Sequence, residues 1–385
     1  MKSRRQLMAV LIAYGAAGCS QNTQPPEPAS FSRPTRVAFV CVDESKPVDA
    51  SDHLVALDRC DTRTVSAITM PVDTGTAKYA LHALVAQSSR GEIAAVDIAD
   101  RHVIDNRPDI PGPTFLPAGE VPVAIAVAPG FPHTTYVANA GSRDISVLRT
   151  DSLFKVQGAE SFMKQRVPVQ PAGADAPGAP FDMLVAPEQD ALFVSSADAG
   201  WLLRIPIKRC ADGGDTCSEA GQLDVERLSR IAIEESWAKL PEDVFQQQPT
   251  VDERYRFSCS PDPALLPTRD APISLPERDA DVGTPQPTGL AIDAFCSDGS
   301  CTRRLLIADR RQPIVHAVDL DLLAAQDPSG AVLQPILTGA PTERVAVTPR
   351  VPVDLAGSGS TQYVYAIDAR DGSVLVAQDG RIRNV

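Results

Sequence analysis

Six positions in this chain put a short polar side chain at the end of an apolar run, where a turn begins: Asp43, Gln87, Asn139, Asp198, Asp309 and Asp368. Carboxylate and amide oxygens brought together suit a hard cation or a cationic ligand. The same side chains also serve turns directly, each bonding its own backbone and accepting the turn geometry. Charges of both signs accompany them, with Arg143 beside Asp144, Arg310 and Arg311 after Asp309, and Arg370 beside Asp371. Asn139, Asp144, Asp198, Asp309, Arg310, Asp368 and Arg370 therefore form the candidate binding face. Paired opposite charges suit a polar partner, and they also suit plain solvation.

Other chemistry is thinly represented. The five histidines show no common spacing: His53 and His316 fall at hairpins, His82 and His102 flank one, and His133 sits in the loop PGFPHTTY. No Gly-rich phosphate loop follows a strand-like run, and no G-x-S-x-G elbow occurs. Aromatic residues total 5%, and Trp201 and Trp237 are too few for a sugar-stacking platform. The reading is no catalytic residue, no metal and no cofactor. A net charge of −13 repels phosphate backbones, which argues against nucleic acid as a partner.

The cysteines and the N-terminus give an address. CADGGDTC (Cys210 to Cys217) and CSDGSC (Cys296 to Cys301) each set two cysteines around a Gly/Asp turn, as a disulfide closing a loop requires. A zinc site would want closer pairs and a nearby His. Cys41 and Cys60 lie on what read as adjacent strands and form a third candidate pair, leaving Cys259 over. Residues 1–18 read as an export signal, with Lys2, Arg4 and Arg5 before the apolar run LMAVLIAY. That run is far shorter than the roughly 20 residues needed to span a bilayer. The following GAAGCS resembles a bacterial lipoprotein signal, with Ala17, Gly18 and Cys19 matching its lipobox and Ala16 where Leu is usual. The resemblance implies cleavage before Cys19 and its acylation, so that the protein meets the membrane through an N-terminal lipid. Ser20 is not the Asp that marks inner-membrane retention in such signals, which implies an outer-membrane lipoprotein facing the periplasm or the cell surface. SRRQLM also resembles a twin-arginine signal, so either export route fits. Residues 19–34 are polar and Pro-rich and read as a tether.

What must position the turn residues is a repeat. Six hairpin-like segments occupy 36–60, 82–98, 134–150, 191–207, 304–320 and 362–378, each joining two β-rich runs through a polar tip. Further runs precede most of them: VPVAIAVAP, APFDMLVAP, QPTGLAIDA and RVPVDLAG. Val85, Val137, Val194, Ile307 and Val364 mark the first strands, at separations of 52, 57, 113 and 57. Repeats of that length with about four strands each read as the blades of an all-β propeller over residues 35–385, six or seven in number. Residues 208–284 read as a disulfide-tied insertion or irregular blade, with VERLSRIAIEESWAKL legible as a helix or as a bent strand. In a propeller the hairpin tips would gather on one face.

YVANAGSRDISVL resembles the YVTN-type β-propeller repeat: Tyr136, Val137, Asn139, Gly141, Asp144, Ile145 and Val147 match by position. LIADRRQPIVHAVDL and YAIDARDGSVLV are echoes with Asp for Asn. Such repeats occur in exported bacterial proteins and in lactonase-like propellers, and the resemblance implies the fold without an activity. The function expected is a lipid-anchored envelope propeller that binds a protein or polar envelope ligand without catalysis; the alternative is a lactonase-like hydrolase with its site at the channel mouth. A Cys19→Ala protein is expected to leave the membrane fraction on fractionation, and its persistence there refutes the anchor.

Overall fold

In a computed structural model the described residues are 31, 33–47, 50, 53–55, 57–60, 79–98, 100–109, 113–128, 133–154, 162–209, 219–242, 277, 280–297, 300–324, 328–347, 363–370, 372, 374–378 and 381–384. The signal segment 1–18, Cys19, most of the tether, Cys210, Cys217, Cys259 and Asp371 lie outside them.

The described chain is nearly all β, as its Val, Ile and Ala alternation and frequent turn residues require. The first sheet holds β1 (Pro34–Asp43), β2 (Leu54–Val55), β3 (Tyr79–Gln87), β4 (Glu92–Asp97), β5 (His102–Val103) and β6 (Leu116–Pro117). Its order is β2-β1-β3-β4-β5, with β6 paired to β4. The second contains β7 (Pro122–Ala128), β8 (Thr134–Asn139), β9 (Asp144–Arg149) and β10 (Met163–Pro168). The third runs β11 (Asp182–Val185), β12 (Ala191–Ser196), β13 (Trp201–Pro206) and β14 (Ser229–Ile231). The fourth is β15 (Pro287–Ser297), β16 (Ser300–Asp309), β17 (Ile314–Asp319) and β18 (Ile336–Leu337). The fifth is β19 (Thr342–Val347), β20 (Tyr363–Asp368), β21 (Val374–Gln378) and β22 (Arg381–Asn384). Each of the last four is a four-stranded antiparallel meander with its strands in chain order. No helix among the described residues is long and apolar enough to cross a membrane.

Every residue of β8, β12 and β17 is buried. A strand can be buried along both faces only if another layer covers each of them. The apolar clusters show what supplies the cover. One cluster joins Leu84 and Ile93 of the first sheet to Ile125 and Val137 of the second. Another joins Tyr136 and Val147 to Leu192 and Leu203 of the third. A third joins Phe193 and Leu202 to Leu305 and Ile307, and a fourth links Leu306 and Val315 to Val345 and Val364. Each sheet thus supplies the core of the next, which is the arrangement of propeller blades. The strands β1, β7, β11, β15 and β19 lie side by side at the inner edge.

Three expectations about the repeat need correction. The hairpin segments 36–60 and 82–98 belong to one sheet, because β1 pairs with β3 along its whole length while β2 meets it at only two positions. Counting hairpins therefore counted the first sheet twice, and the described residues hold five sheets. Residues 219–242 are not an insertion apart from the repeat. They return to the third sheet through the Ile207–Leu223 bridge and supply β14, so VERLSRIAIEESWAKL is a short strand between single 3-10 turns. The strand that opens the fifth sheet is β19, not RVPVDLAG, whose residues lie outside the described ones. TERVAV and RVPVDL are both Val-rich, and only pairing with β20 distinguishes them.

Cys41 in β1 and Cys60 in the 3-10 turn Leu57–Cys60 form a disulfide at a sequence separation of 19. Cys296 and Cys301 are directly opposed in the β15–β16 register. Closing a loop of the size of the first removes denatured-state freedom equivalent to about 3 kcal/mol. A Cys60→Ser protein is expected to lose about that much stability in urea unfolding, and a midpoint equal to wild type under oxidising conditions refutes the contribution.

Candidate functional site

The strand starts define a rim. Registers Pro34↔Gln87, Pro122↔Asn139, Pro287↔Asp309 and Thr342↔Asp368 put the end of each second strand beside the start of an inner strand. Gln87, Asn139, Asp309 and Asp368, with Asp198 just beyond β12, are therefore at one end of the sheets. Asp43 is not. It pairs with Tyr79 at the far end of the first sheet, because it closes an inner strand rather than a second one.

Among the candidate residues, the rim side chains are engaged in the scaffold. Asn139 Nδ2 donates to the Val137 carbonyl (3.3 Å), Asp144 Oδ1 (2.8 Å) and Ser146 Oγ (3.1 Å). Asp144 also pairs with Arg166 at 3.2 Å. Asp198 Oδ1 accepts from the Ala179 N–H and Ser196 Oγ, and Arg143 lies 3.5 Å from its other oxygen. Asp309, fully buried, accepts from the N–H groups of Gln286, Arg311 and Gln312, and its Oδ2 is 3.0 Å from His316 Nε2. Asp368 accepts from the N–H and guanidinium of Arg370. These contacts close turns and tie successive repeats, as Asx motifs do.

Sequence reasoning passed over the residues at the centre of this rim. Asp182, with 1% of its side chain exposed, opens β11 and binds three other inner strands. Arg36 Nη2 of β1 donates to both its oxygens at 2.9 Å. Arg344 Nη1 of β19 donates to Oδ2 at 3.1 Å, and the Leu290 N–H of β15 to the same atom at 3.2 Å. Oδ1 also accepts from the Met183 N–H. Phe181 stands next to this knot, with the guanidinium of Arg344 4.5 Å and that of Arg310 4.9 Å from its ring centre. Arg310 pairs with Glu343 at 2.6 Å. Burial pushes the Arg344 guanidinium below its usual range, opposed by the charge of Asp182 and reinforced by that of Arg36.

The rim centre carries three guanidiniums against two carboxylates, in a chain whose net charge is −13. Arg36 and Arg344 keep about a third of their side chains exposed, 34% and 31%, while the carboxylate they share is hidden beneath them. Such an arrangement presents unsaturated N–H donors outward, beside an aromatic face, and fits an anionic group. Gly289 explains how β15 and β19 come this close: a Cβ there would stand 2.8 Å from the Arg344 Cα. The signal available in sequence was an Asp at the start of the run DMLV, but its partners lie 108 to 162 residues away.

No family model matches the chain, and no curated protein matches it. Among solved structures it is similar to dihydro-heme d1 dehydrogenase NirN in complex with DHE, at 14% identity and TM-score 0.34 over 93% of this chain. The chain spans 64% of that protein's length. It is similar to the periplasmic gluconolactonase PpgL of Pseudomonas aeruginosa at 15% identity and TM-score 0.38, covering 79% of this chain and 68% of the other. The hydrazine synthase of Kuenenia stuttgartiensis is similar at 14% identity and TM-score 0.25, over 77% of this chain and 92% of that one.

Removing the carboxylate that holds two guanidiniums leaves both without their partner and three inner strands without their tie. Breaking a buried pair in this way costs about 3–5 kcal/mol, and the partial exposure of both arginines places this case near about 3. Asp182→Ala is expected to lower the unfolding free energy by about that much in urea titration. A change below about 1 kcal/mol overturns the assignment of Asp182 as the tie between repeats.

Proposed function

We propose that this protein is an exported, lipid-anchored binding protein of the cell envelope that takes an anionic partner at the rim formed by Arg36, Phe181, Asp182, Arg310 and Arg344. The observation that carries the reading is the surplus of three guanidiniums over two carboxylates at the rim centre, with Arg36 and Arg344 partly exposed above the hidden Asp182. The Cys41–Cys60 disulfide supports an oxidising compartment, where such bridges form and persist. The partner is a protein or a polar envelope ligand whose carboxylates meet the rim. The candidate tips Asn139, Asp144, Asp198, Asp309, Asp368 and Arg370 hold the rim in place and are not its contact atoms.

Hydrolysis is the poorer reading of the same rim. A lactonase-like reaction needs a general base within reach of a water or substrate. Both oxygens of Asp182 already accept hydrogen bonds, and His316 is fully buried with Nε2 on Asp309. The other four histidines lie toward the far end of the first two sheets: His53 just before β2, His82 and His102 each opposite Asp97, and His133 just before β8.

Calorimetric titration of the full chain at low salt with glutarate and with an acidic tripeptide tests the binding reading. Both probes are expected to bind, with affinity falling as salt screens the charges. An Arg36→Met/Arg344→Met protein is expected to bind at least about tenfold more weakly, a loss of about 1.4 kcal/mol or more. Equal binding by that variant, or no binding of either probe, overturns the proposal.

A further inference from the structure

The far end of the first sheet holds a second cluster that the rim does not use. His82 on β3 and Asp97 on β4 are direct cross-strand partners, and both are buried, at 5% and 3% exposure. Glu44, exposed, follows the end of β1. One His nitrogen and one oxygen from each carboxylate lie within 4.8 Å of one another. We propose that Glu44, His82 and Asp97 bind a divalent first-row metal ion of the zinc type.

The hydrogen bonds around the pair set up the ligand atoms. His82 Nδ1 is 3.3 Å from the Ala80 carbonyl, which can only accept, so Nδ1 carries the proton and Nε2 is left with a bare lone pair. Orientation of a ligating imidazole through its other nitrogen by a backbone carbonyl is a common feature of metal sites. Asp97 Oδ1 accepts from the Asp100 N–H, which leaves Oδ2 directed at His82. Nε2 and Oδ2 are 3.7 Å apart, too far for a hydrogen bond. Two electron-rich atoms face each other in a buried place, and a cation between them removes the repulsion. Bonds of about 2.0–2.1 Å in a tetrahedral shell place neighbouring ligand atoms about 3.3 Å apart, close to what the pair already shows.

A second observation points to the same place. His53 is 2% exposed, and its ring nitrogens make no hydrogen bond of good geometry, with only the backbone of Asp43 and Lys46 acting on the ring more weakly. Its ring meets Phe154 edge-on at 6.2 Å, and the His82 ring meets the same Phe154 at 5.1 Å. A buried imidazole so poorly satisfied is costly, and a ligand or ion that takes one nitrogen relieves that cost. Imidazole with carboxylates suits zinc and its first-row neighbours, whereas magnesium and calcium prefer oxygen alone. The donor set is one nitrogen and two carboxylates, with His53 beside it. Asp97, Asp100 and His102 form an overlapping group, so the ion could sit one strand further out; the buried His82 and the nearby His53 favour the inner position.

The test is zinc titration of the full chain, purified through chelator, followed by calorimetry and by cobalt absorption. One equivalent of Zn²⁺ is expected to bind, and Co²⁺ is expected to give intense visible bands of a four-coordinate site with nitrogen. Glu44→Gln changes an exposed side chain and is expected to weaken zinc binding at least about tenfold without altering the fold; His82→Gln is expected to abolish it. His102→Gln is expected to leave binding unchanged. The proposal fails if no stoichiometric zinc binds, if Glu44→Gln binds as wild type, or if His102→Gln is the variant that loses the ion.

Discussion

A β-sheet whose two faces are both apolar cannot end its own exposure; only a further sheet can do so. That constraint governs the five sheets of the described residues. The fully buried strands β8, β12 and β17 are each the second or third strand of a meander, and their side chains belong to clusters shared with the neighbouring sheet. Burying a Leu, Ile or Val side chain contributes about 1.5–3 kcal/mol, so an interface with a dozen such groups dominates the energetics of each sheet. No single sheet is a stable unit, and the order of sheets in space follows their order in the chain.

Packing of this kind is indifferent to polarity at the strand ends, and that is where the chemistry collects. At one end, the inner strands converge closely enough that a single carboxylate, Asp182, reaches β1, β15 and β19. The guanidiniums it gathers are partly stripped of water, which lowers the cost of exchanging that water for an anion. At the other end, cross-strand pairing sets a buried imidazole against a buried carboxylate. The two ends share a scaffold and differ in charge.

Much of the fold was legible because period-two apolar runs and Gly/Asp/Asn turns are local signals. The strands β8 and β9 stand where YVANAGSRDISVL placed them, and β12, β13, β16, β17, β20 and β21 likewise coincide with the hairpins read from sequence. Pairing between distant segments was not legible. Nothing local says that β1 pairs along its whole length with β3 and at only two positions with the nearer Leu54–Val55, nor that Ser229–Ile231 completes the third sheet. The site was less legible still. Asn139, Asp309 and Asp368 announced themselves by repetition, and repetition is the mark of a structural duty every blade needs. Asp182, Arg36 and Arg344 occur once each, on different sheets, and only the inner edge brings them together.

The chain enters the first sheet at Pro34, on the same end as Arg36, and Phe31 stacks on Phe115 at 6.3 Å just before β6. If residue 19 carries acyl chains, eleven residues lie between it and Phe31 of that stack. Fully extended they reach about 40 Å. The leash would then hold the basic end toward the lipid headgroups, and the histidine end would point away into the surrounding compartment. Orientation would follow from where the first strand begins, without any contact between the sheets and the bilayer.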